Sequence, residues 1–458
     1  MTAEAIPSLF LNDTNMVLAT DLYQLTMMAS YLEWEMEEPA SFELFVRRLP
    51  KGRSFLVAAG LEQCVHYLKN LHFSGEDIDY LRELDVFSNV SERFFERLRA
   101  WRFSGDVDAI GEGNIFFGHE PLMRIRAPLF EAQLVETYLL STINYQTSVA
   151  SKAARITLAA QGRRCFDFGT RRAHGPQAGL YAARASYLAG LHATSNVLAG
   201  KLCRIPVVGT AAHAFTMACP SEEEAFRRYH HSFPKHTTLL IDTYDTLRGA
   251  QRASEIEGEL KGVRLDSGDL VELSKQVREI LDRNGRQDAK IAASGDLNEY
   301  KLAEMIQAGA RIDLFGVGTE LVTSKDHPAL GGVYKLVSKT VDGLEQPTMK
   351  LSEGKMTYPS AKQVWRVFDQ EGRLEHDVLE LASAPAPTPA ARALLAPVLR
   401  KGQLVSALPS LDSIRAHCLS ELERLPSSLC QLGQQAQYRV EIGPELAALV
   451  EKLRSELG

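Results

Sequence analysis

Six apolar stretches between residues 164 and 320 constrain the fold more than any other feature of this chain. Each is apolar in its body and polar or glycine-containing at its carboxyl end, and they are RCFDFGTRR, RIPVVGTAAH, TTLLIDTYD, GVRLDSGD, AKIAASGD and IDLFGVGTE. Amphipathic helical segments such as LVELSKQVREILDRNG separate them. Parallel strands that are buried on both faces and carry chemistry in their following loops have this pattern. The sequence therefore predicts a (β/α) barrel, complete or incomplete, with its site at the carboxyl ends of the strands.

The segments on either side of these stretches predict a second domain. In residues 1–142, β-like stretches such as SFELFVRRLP alternate with helical ones such as LEQCVHYLKNL, which predicts an N-terminal α+β domain. Residues 143–345 form the predicted barrel domain. A Pro/Ala-rich stretch, SAPAPTPAARALLAPV, predicts a surface connector within residues 346–458. Two amphipathic helices beyond it are too few for a core of their own, so this segment is expected to pack back on the N-terminal domain.

Composition excludes several classes of function. The chain has 458 residues and a net charge of −7, so it offers no broad positive field for nucleic acid. We find no apolar run of the ~18–20 residues that a membrane span needs, and the N-terminus has no basic segment before an apolar one, which predicts a cytoplasmic protein. The six cysteines form no CxxC pair, so reduced, structural thiols are expected.

Two neighbouring strand ends carry small residues suited to phosphate. Gly316 and Gly318 precede Thr319, and glycines there let backbone N–H groups approach phosphate oxygens. Gly295 and Asp296 follow the preceding predicted strand. Ordinary strand-to-helix turns, with Thr319 or Asp296 as helix caps, are the alternative interpretation of both loops.

Charged groups follow two other strands. Arg264 and Asp266 face the same side of an extended strand, so both can point into the barrel mouth, where carboxylates hold Mg²⁺ or stabilise positive charge. A turn with capping aspartates is the alternative. Asp242 and Asp245 add acids at the same rim, and a helix cap is as well supported there as a functional role.

The two remaining strand ends carry an aromatic ring, a cation and a histidine. Phe168 suits a flat heterocycle and Arg171 suits a carboxylate or phosphate, although a core ring beside solvated arginines is the alternative. Thr210 precedes His213, which spacing places at a strand end or in the first turn of a helix, as an acid/base, phosphate acceptor or merely hydrogen-bonded group. Three further histidines lack a complete ligand set, so a zinc site is not favoured.

Taken together, these motifs resemble those of nicotinate phosphoribosyltransferase. The matching stretches are collinear over almost the whole chain: TDLYQLTM, FELFVRRLP, FDFGTRRAHGP, TSNVLAGK, PVVGTAAHAF, VRLDSGDL, FGVGTELVTS, GGVYKLV and AQYRV. The resemblance implies an α/β protein with an irregular (β/α) barrel of the type II phosphoribosyltransferase kind and an α/β domain built from both chain ends. It also implies a homodimer with sites near the subunit interface.

The reaction that the resemblance implies couples nicotinate and phosphoribosyl pyrophosphate to give nicotinate mononucleotide and pyrophosphate, in NAD salvage. ATP hydrolysis drives it, which also places such an enzyme among ligases that form a C–N bond. Mg²⁺ is the implied metal, ATP the co-substrate, and a phosphohistidine at His213 the implied intermediate. No nucleic acid or membrane partner is expected.

Residue roles are carried over from the resemblance by position. Tyr23 and Phe168 correspond to the pair that sandwiches the pyridine ring, with Tyr23 crossing from the other subunit. The remaining correspondences are Arg171, Thr210 and Arg264 as nicotinate and phosphate contacts, His213 and Asp266 as catalytic residues, Asp266 and Asp296 as ribose- or Mg²⁺-associated carboxylates, and Gly295, Gly316, Gly318, Thr319 and Thr357 as the phosphate cradle.

One departure from the family pattern and three alternatives remain. Ser360 stands where the family usually has glycine, next to the proposed phosphate contact Thr357. A nicotinamide-using relative would need a carboxylate near the ring, and the GTAA preceding His213 has none. Quinolinate phosphoribosyltransferase is much shorter and needs more cationic groups. A catalytically silent barrel that binds nucleotides or partners would be free to lose His213, Arg264 and Asp266, all of which are present.

Overall fold

The computed structural model describes residues 9–351 and 357–457. The chain divides into two compact units. One contains both chain ends, up to Thr147 and from Ala329, and we call it the terminal unit. The other, Ser148–Pro328, is the barrel unit.

The first part of the terminal unit alternates helices with short strands. Its elements are α1 (Leu22–Glu33), β1 (Pro39–Val46), β2 (Leu56–Val57), α2 (Leu61–Asn70), α3 (Gly75–Glu83), α4 (Glu92–Ala100), β3 (Asp106–Ile110), β4 (Ile115–Phe116), β5 (Pro121–Pro128), α5 (Leu129–Leu134) and α6 (Glu136–Ala159). The boundary with the barrel unit falls inside α6.

The barrel unit alternates short parallel strands with helices. Its elements are β6 (Arg164–Asp167), α7 (Pro176–Leu188), β7 (Ala193–Thr194), α8 (Val197–Cys203), α9 (His213–Met217), α10 (Glu222–Ser232), β8 (Thr238–Leu240), α11 (Thr246–Ser254), β9 (Gly262–Leu265), α12 (Leu270–Arg283), β10 (Lys290–Ala293), α13 (Glu299–Gln307), β11 (Leu314–Val317) and α14 (Thr319–Val322).

The chain then returns to the terminal unit. The remaining elements are β12 (Gly332–Val341), β13 (Leu344–Pro347), β14 (Lys362–Phe368), β15 (Leu374–Leu381), β16 (Arg392–Ala393), β17 (Leu395–Arg400), β18 (Gln403–Leu404), α15 (Leu411–Glu423), α16 (Ser427–Cys430), β19 (Val440–Ile442) and α17 (Pro444–Leu457).

Strands from both chain ends build the main sheet of the terminal unit. Its order is β13-β12-β1-β5-β3-β17-β18, and all neighbouring pairs are antiparallel. A four-stranded sheet, β16-β14-β15-β19, and the pair β2-β4 complete this unit. The apolar faces pack on α1 to α5 around fully buried side chains such as Met28, Leu44 and Phe94.

The barrel unit contains an open parallel sheet in the order β7-β6-β11-β10-β9-β8. Alternate strand residues on one face, including Val263, Ile291 and Phe315, are fully buried. Residues on the opposite face, including Phe166, Arg264 and Leu314, line a cavity instead of filling a core. The sheet therefore forms part of a barrel with a hollow concave face, unlike the closed, packed barrel interior.

Side-chain caps start the helices that follow the strands. Asp269 accepts from the backbone N–H groups of Val271 and Glu272, and Asn298 accepts from Tyr300 and Lys301. Asp245 accepts from Arg248 N–H at 2.8 Å. Such caps satisfy N–H groups that have no partner within the helix, so each strand passes into its helix through a defined turn.

Three local predictions differ from the structure. RIPVV forms only an isolated bridge from Val207 to Thr194, because Pro206 has no N–H to extend the pairing, and β7 takes the place at the edge. Strand β12 pairs with β1, so residues from Ala329 belong to the terminal unit rather than to the predicted barrel segment 143–345. Part of the predicted Pro/Ala connector is β17, which pairs with β3.

Among the described residues, no helix is both long and apolar enough to span a membrane. All six cysteines are free thiols, three of them buried.

Candidate active site

Most of the predicted site residues meet at the carboxyl ends of the barrel strands. Phe168 follows β6, Arg264 lies in β9 with Asp266 just after it, and Gly295 follows β10. His213 is the first residue of α9. Two predicted residues, Tyr23 and Thr357, lie in the terminal unit instead.

Arg264 is the centre of the cluster, because each of its guanidinium nitrogens has a different partner. Nε donates to Ser294 Oγ at 2.8 Å, Nη1 to Thr210 Oγ1 at 3.0 Å and Nη2 to Asp266 Oδ1 at 2.6 Å. The side chain is 13% exposed. A planar fork held at three points keeps one orientation, so a cation is fixed on the concave face.

The carboxylate of Asp266 is held ionised by its neighbours. Burial by itself would raise its pKa, but hydrogen bonds from Ser294 and Arg264, together with the nearby positive charge, lower the pKa below its ordinary value. Among the described residues, the hydrogen bonds of its carboxylate involve Oδ1 only. A fixed anion of this kind can stabilise positive charge that develops on a ligand.

His213 is paired with an aspartate from the next strand end. Its Nε2 lies 3.1 Å from Asp242 Oδ1, and the Asp242 side chain is 1% exposed whereas that of His213 is 40% exposed. Asp242 Oδ2 accepts from Asp266 N–H at 3.0 Å and from Ser267 Oγ at 2.7 Å. A carboxylate with both oxygens occupied orients the imidazole and favours the tautomer with its proton on Nε2.

Phe168 supplies an aromatic face beside the cation. Its ring lies 5.7 Å from the Arg264 guanidinium carbon, and its N–H donates to Val317 O at 2.8 Å. A Cβ built on Gly316 would be 2.3 Å from the ring, so only glycine allows the ring to lie across β11 at this point. A cavity of about 470 Å³ lies on the concave face, and Phe168, Thr210 and Arg264 line one end of it.

Arg171 lies on the turn Thr170–Arg172 and is exposed. The turn is anchored by Asp167, which accepts from Gly169 N–H at 2.8 Å and from Thr194 Oγ1 at 2.7 Å. Burial raises the pKa of Asp167, and these two hydrogen bonds lower it only in part. The structure therefore fixes the start of the turn and leaves the Arg171 guanidinium available to solvent or a ligand.

The two glycine-containing loops have different geometry. Gly295 has φ +100°, and a Cβ there would be 2.3 Å from Asp266 O, so the β10 loop requires glycine. Asp296 is exposed with φ +46°. The alternative that Asp296 caps the next helix is wrong, because Asn298 caps α13. Gly318 is the N-cap residue of α14, and Thr319 is its first helical residue rather than its cap.

The described part of the site offers carboxylates to a divalent cation, but not a complete set of metal ligands. Among the described residues, no group of three or more His, Cys, Asp or Glu side chains is arranged to hold a metal. Mg²⁺ usually keeps several waters and binds through one or two carboxylates plus substrate phosphates. Asp266 Oδ2 and the exposed Asp296 fit that mode.

Sequence reasoning left two site residues without a role. For Asp242 it left two roles open, a helix cap or a site residue. In the structure Asp245 caps α11, and Asp242 contacts His213. It gave Ser294 no role, but Ser294 Oγ contacts both Arg264 and Asp266. The pair of acids after TTLLI was the available signal for Asp242, whereas nothing in the pattern identified Ser294.

Tyr23 and Thr357 are described within the terminal unit. Tyr23 lies on α1 and is 47% exposed; partial burial, Glu136 and Asp21 raise its pKa to about 12. Thr357 is buried, and its Oγ1 accepts from Lys350 N–H at 3.0 Å. Nearby, Ser360 has φ +61°, a left-handed backbone that favours glycine, the residue that the resemblance implies at this position.

Comparison with known proteins gives consistent results over most of the chain. Residues 18–144 match the nicotinate phosphoribosyltransferase N-terminal domain, residues 163–365 the nicotinate phosphoribosyltransferase family, and residues 390–450 its C-terminal domain. Nicotinate phosphoribosyltransferase pncB2 of Mycobacterium tuberculosis is 42% identical over 95% of this chain and 94% of its own length. Nicotinate phosphoribosyltransferase of Bacillus subtilis is 40% identical over 94% of each chain.

A solved structure agrees with these sequence matches. Human nicotinic acid phosphoribosyltransferase superposes with a TM-score of 0.84 at 33% identity, covering 95% of this chain and 99% of its own. The match confirms the predicted α/β fold, an irregular (β/α) barrel of the type II phosphoribosyltransferase kind with an α/β domain built from both chain ends. The collinear sequence matches and this superposition show that the chain belongs to the nicotinate phosphoribosyltransferase family of enzymes.

Proposed function

We propose that this enzyme couples nicotinate and phosphoribosyl pyrophosphate to form nicotinate mononucleotide and pyrophosphate, with ATP hydrolysis driving the reaction, in cytoplasmic NAD salvage. The observation that carries the proposal is the position of Arg264 beside the Phe168 ring, with Thr210, Ser294 and Asp266 as its partners. A cation beside an aromatic face suits a flat ring that bears a carboxylate.

This arrangement favours nicotinate over nicotinamide. Nicotinate carries a negative charge, and Arg264 together with the exposed Arg171 provides positive charge on the same side of the barrel. The neutral amide of nicotinamide would form no ion pair with either arginine. Site charge therefore supports the acid as the substrate.

The proposed chemistry needs no nucleophile from the protein at the sugar. The bond from ribose C1 to the pyrophosphate oxygen breaks, its electron pair leaves with pyrophosphate, and the pyridine nitrogen lone pair forms the new C–N bond at C1. The ribose ring carries positive charge in the transition state, and the ionised carboxylate of Asp266 stabilises that charge. Bound Mg²⁺ would neutralise charge on the leaving group. Phe168 and Arg264 hold the base in position, and such positioning supplies much of the rate.

His213 is the proposed phosphoryl acceptor from ATP. Asp242 holds the proton on Nε2, and no described residue hydrogen bonds with Nδ1, so the Nδ1 lone pair is free to attack. The new bond joins Nδ1 to the γ-phosphorus, and the bridging P–O bond breaks to release ADP. Attack of water on the phosphorus later releases phosphate. The half-exposed imidazole is accessible for both steps.

Roles for Gly295, Gly318 and Thr319 in phosphate binding, for Tyr23 from a second copy of the chain, and for Thr357 stay predictions from the resemblance. So does the homodimer. Light scattering of the purified protein measures its mass directly, and a monomer with full activity would remove the proposed role of Tyr23 from another subunit.

The decisive experiment measures product from phosphoribosyl pyrophosphate and Mg²⁺ with nicotinate or nicotinamide, each with and without ATP, and quantifies mononucleotide and ADP together. Nicotinate-dependent product that ATP increases is the expected result. Product from nicotinamide alone would overturn the substrate assignment. No product from either base, with a folded protein that still binds phosphoribosyl pyrophosphate, would favour a silent nucleotide-binding barrel.

A further inference from the structure

A buried lysine joins the segments that follow two of the strand-end loops. Lys152 lies on α6 within the barrel unit, and its side chain is 1% exposed. Its Nζ is 2.7 Å from Glu299 Oε2, 3.0 Å from Asp326 Oδ1 and 3.8 Å from Glu320 Oε2. One ammonium group therefore contacts three carboxylates from separate parts of the chain.

The positions of two of these carboxylates relate the cluster to the site. Glu299 is the first residue of α13 and follows the loop that contains Gly295 and Asp296. Glu320 is the second residue of α14 and directly follows Thr319 in the GVGT loop. Lys152 thus cross-links the starts of the two helices whose preceding loops are the proposed phosphate contacts.

The charges of the cluster balance, and its inner members are firmly held. Arg155 Nε donates to Glu299 Oε1 at 2.9 Å, and Arg155 Nη2 donates to the Tyr300 hydroxyl at 2.9 Å. Lys325 Nζ lies 3.1 Å from Glu320 Oε1. Apolar side chains in place of a buried ion pair often give equal or greater stability. We therefore infer the role of this cluster from what it joins, which is the starts of α13 and α14.

We propose that Lys152 is a positioning residue that sets the separation of the β10 and β11 loops to match a ligand that carries two separate phosphate-bearing groups, a monophosphate and a pyrophosphate. This rests on the proposed function, in which phosphoribosyl pyrophosphate is that ligand. A ligand bound at two points gains affinity from the second contact only when both sites are held at the matching separation. A ligand that carries only one of these groups, such as ribose 5-phosphate or pyrophosphate, gains nothing from that separation.

The test uses the full-length enzyme and four variants. Lys152→Met removes the charge, and Lys152→Arg restores a cation. Glu320→Gln weakens the contacts of a partly exposed carboxylate with Lys152 and Lys325, and it is the fallback if the first variant does not fold. Asp108→Asn in the terminal unit is the matched control, because Asp108 is as buried as Glu320 and pairs with Arg124 at 2.7 Å.

Thermal unfolding checks that each protein is folded. Calorimetry then measures the Kd of Mg²⁺-phosphoribosyl pyrophosphate, of pyrophosphate alone and of ribose 5-phosphate alone.

We expect Lys152→Met and Glu320→Gln to raise the Kd and the KM for phosphoribosyl pyrophosphate about tenfold, while the Kd of each single-site ligand changes by less than about twofold. The KM for nicotinate and kcat should change by less than about threefold, and Lys152→Arg should recover most of the loss. Asp108→Asn should leave all these values unchanged.

Three results would overturn the inference. One is an unchanged affinity for phosphoribosyl pyrophosphate in a folded variant. Another is an equal loss for all three ligands, which would mean that the loops themselves, not their separation, were damaged. The last is the same defect in Asp108→Asn. If the wild-type enzyme binds phosphoribosyl pyrophosphate but makes no mononucleotide, the proposed function fails, and the comparison of Kd values still decides the role of Lys152.

Discussion

The ring of Phe168 lies directly against the backbone of Gly316 on the neighbouring strand. A Cβ on Gly316 would be 2.3 Å from Cδ2 and 2.5 Å from Cε2 of that ring, closer than side-chain carbons approach in folded proteins. The position of the aromatic face therefore depends on the absence of a side chain one strand away. Any larger residue at position 316 must displace the ring toward the cavity.

Replacing Gly316 with alanine tests this dependence. We expect the KM for nicotinate to rise at least tenfold, because the ring that stacks on the base moves, and the free energy of unfolding to fall by about 1–3 kcal/mol through overpacking. Steady-state kinetics and urea denaturation measure the two effects. Gly331→Ala is the control, because a Cβ there meets no atom within 4 Å. A Gly316→Ala enzyme with unchanged KM for nicotinate would show that Phe168 does not hold the base.

The pairing of Asp242 with His213 predicts a specific loss of ATP coupling. In Asp242→Asn the amide NH₂ can face Nε2, which favours the tautomer with its proton on Nδ1 and removes the lone pair proposed to attack ATP. ATP hydrolysis should fall by about 10²-fold or more, as expected for loss of a carboxylate that orients a histidine. Formation of mononucleotide without ATP should be much less affected.

Measuring ADP and mononucleotide in the same reaction distinguishes these effects, and His213→Ala provides the comparison for complete loss of the acceptor. Equal losses with and without ATP in Asp242→Asn would contradict the proposed role. In that case the hydrogen bonds from Asp266 N–H and Ser267 Oγ to Asp242 would be its main contribution.

The strand-end residues were predictable because their chemistry follows from spacing. Arg264 and Asp266, two residues apart, were expected to face the same side, and in the structure they form an ion pair. The partner of His213 was not predictable, since Asp242 is 29 residues away and only the order of the strands brings the two together. The same is true of Ser294, because nothing in the local sequence says which strand lies beside β9.

Barrel boundaries illustrate the other limit of sequence reasoning. The strand character of GGVYKLV is evident from its apolar pattern, but a pattern does not identify the pairing partner. In the structure this strand pairs antiparallel with β1, nearly three hundred residues earlier, for example Leu44 with Tyr334. The sequence alone therefore could not show that residues 329–345 belong with β1 instead of the barrel strands.

The left-handed backbone of Ser360 predicts a stabilising substitution. The left-handed conformation destabilises a folded residue with a Cβ by about 1–2 kcal/mol. Glycine avoids this strain but lowers the free energy of unfolding by about 0.4–1 kcal/mol, because it increases the entropy of the unfolded chain. Ser360→Gly should therefore increase the free energy of unfolding by roughly 0.5–1 kcal/mol. Urea denaturation measures the difference. Ser141→Gly, at an exposed site in α6, should destabilise by roughly 0.5 kcal/mol, and a loss of stability in Ser360→Gly would contradict the strain argument.

Buried Asp167 predicts a pH dependence of stability with a definite sign. Burial raises its pKa above the ordinary value of 3.8, so the folded state holds a proton at pH values where the unfolded chain has released it. Stability therefore falls as pH rises from the ordinary aspartate range through the raised pKa. Asp167→Asn keeps an acceptor for Gly169 N–H but has no titratable group at this position. Its free energy of unfolding should therefore not show this decrease, and it should rise relative to that of the wild type as pH increases.

Urea denaturation of both proteins between about pH 4.5 and 8 gives the difference directly. Other buried carboxylates with raised pKa, such as Glu131, contribute equally to both proteins and cancel in that difference. Asp288→Asn, which replaces an exposed aspartate, corrects for the loss of one charge. A difference between Asp167→Asn and the wild type that stays constant over this range would mean that Asp167 is ionised throughout, held by Gly169 and Thr194 more strongly than burial opposes it.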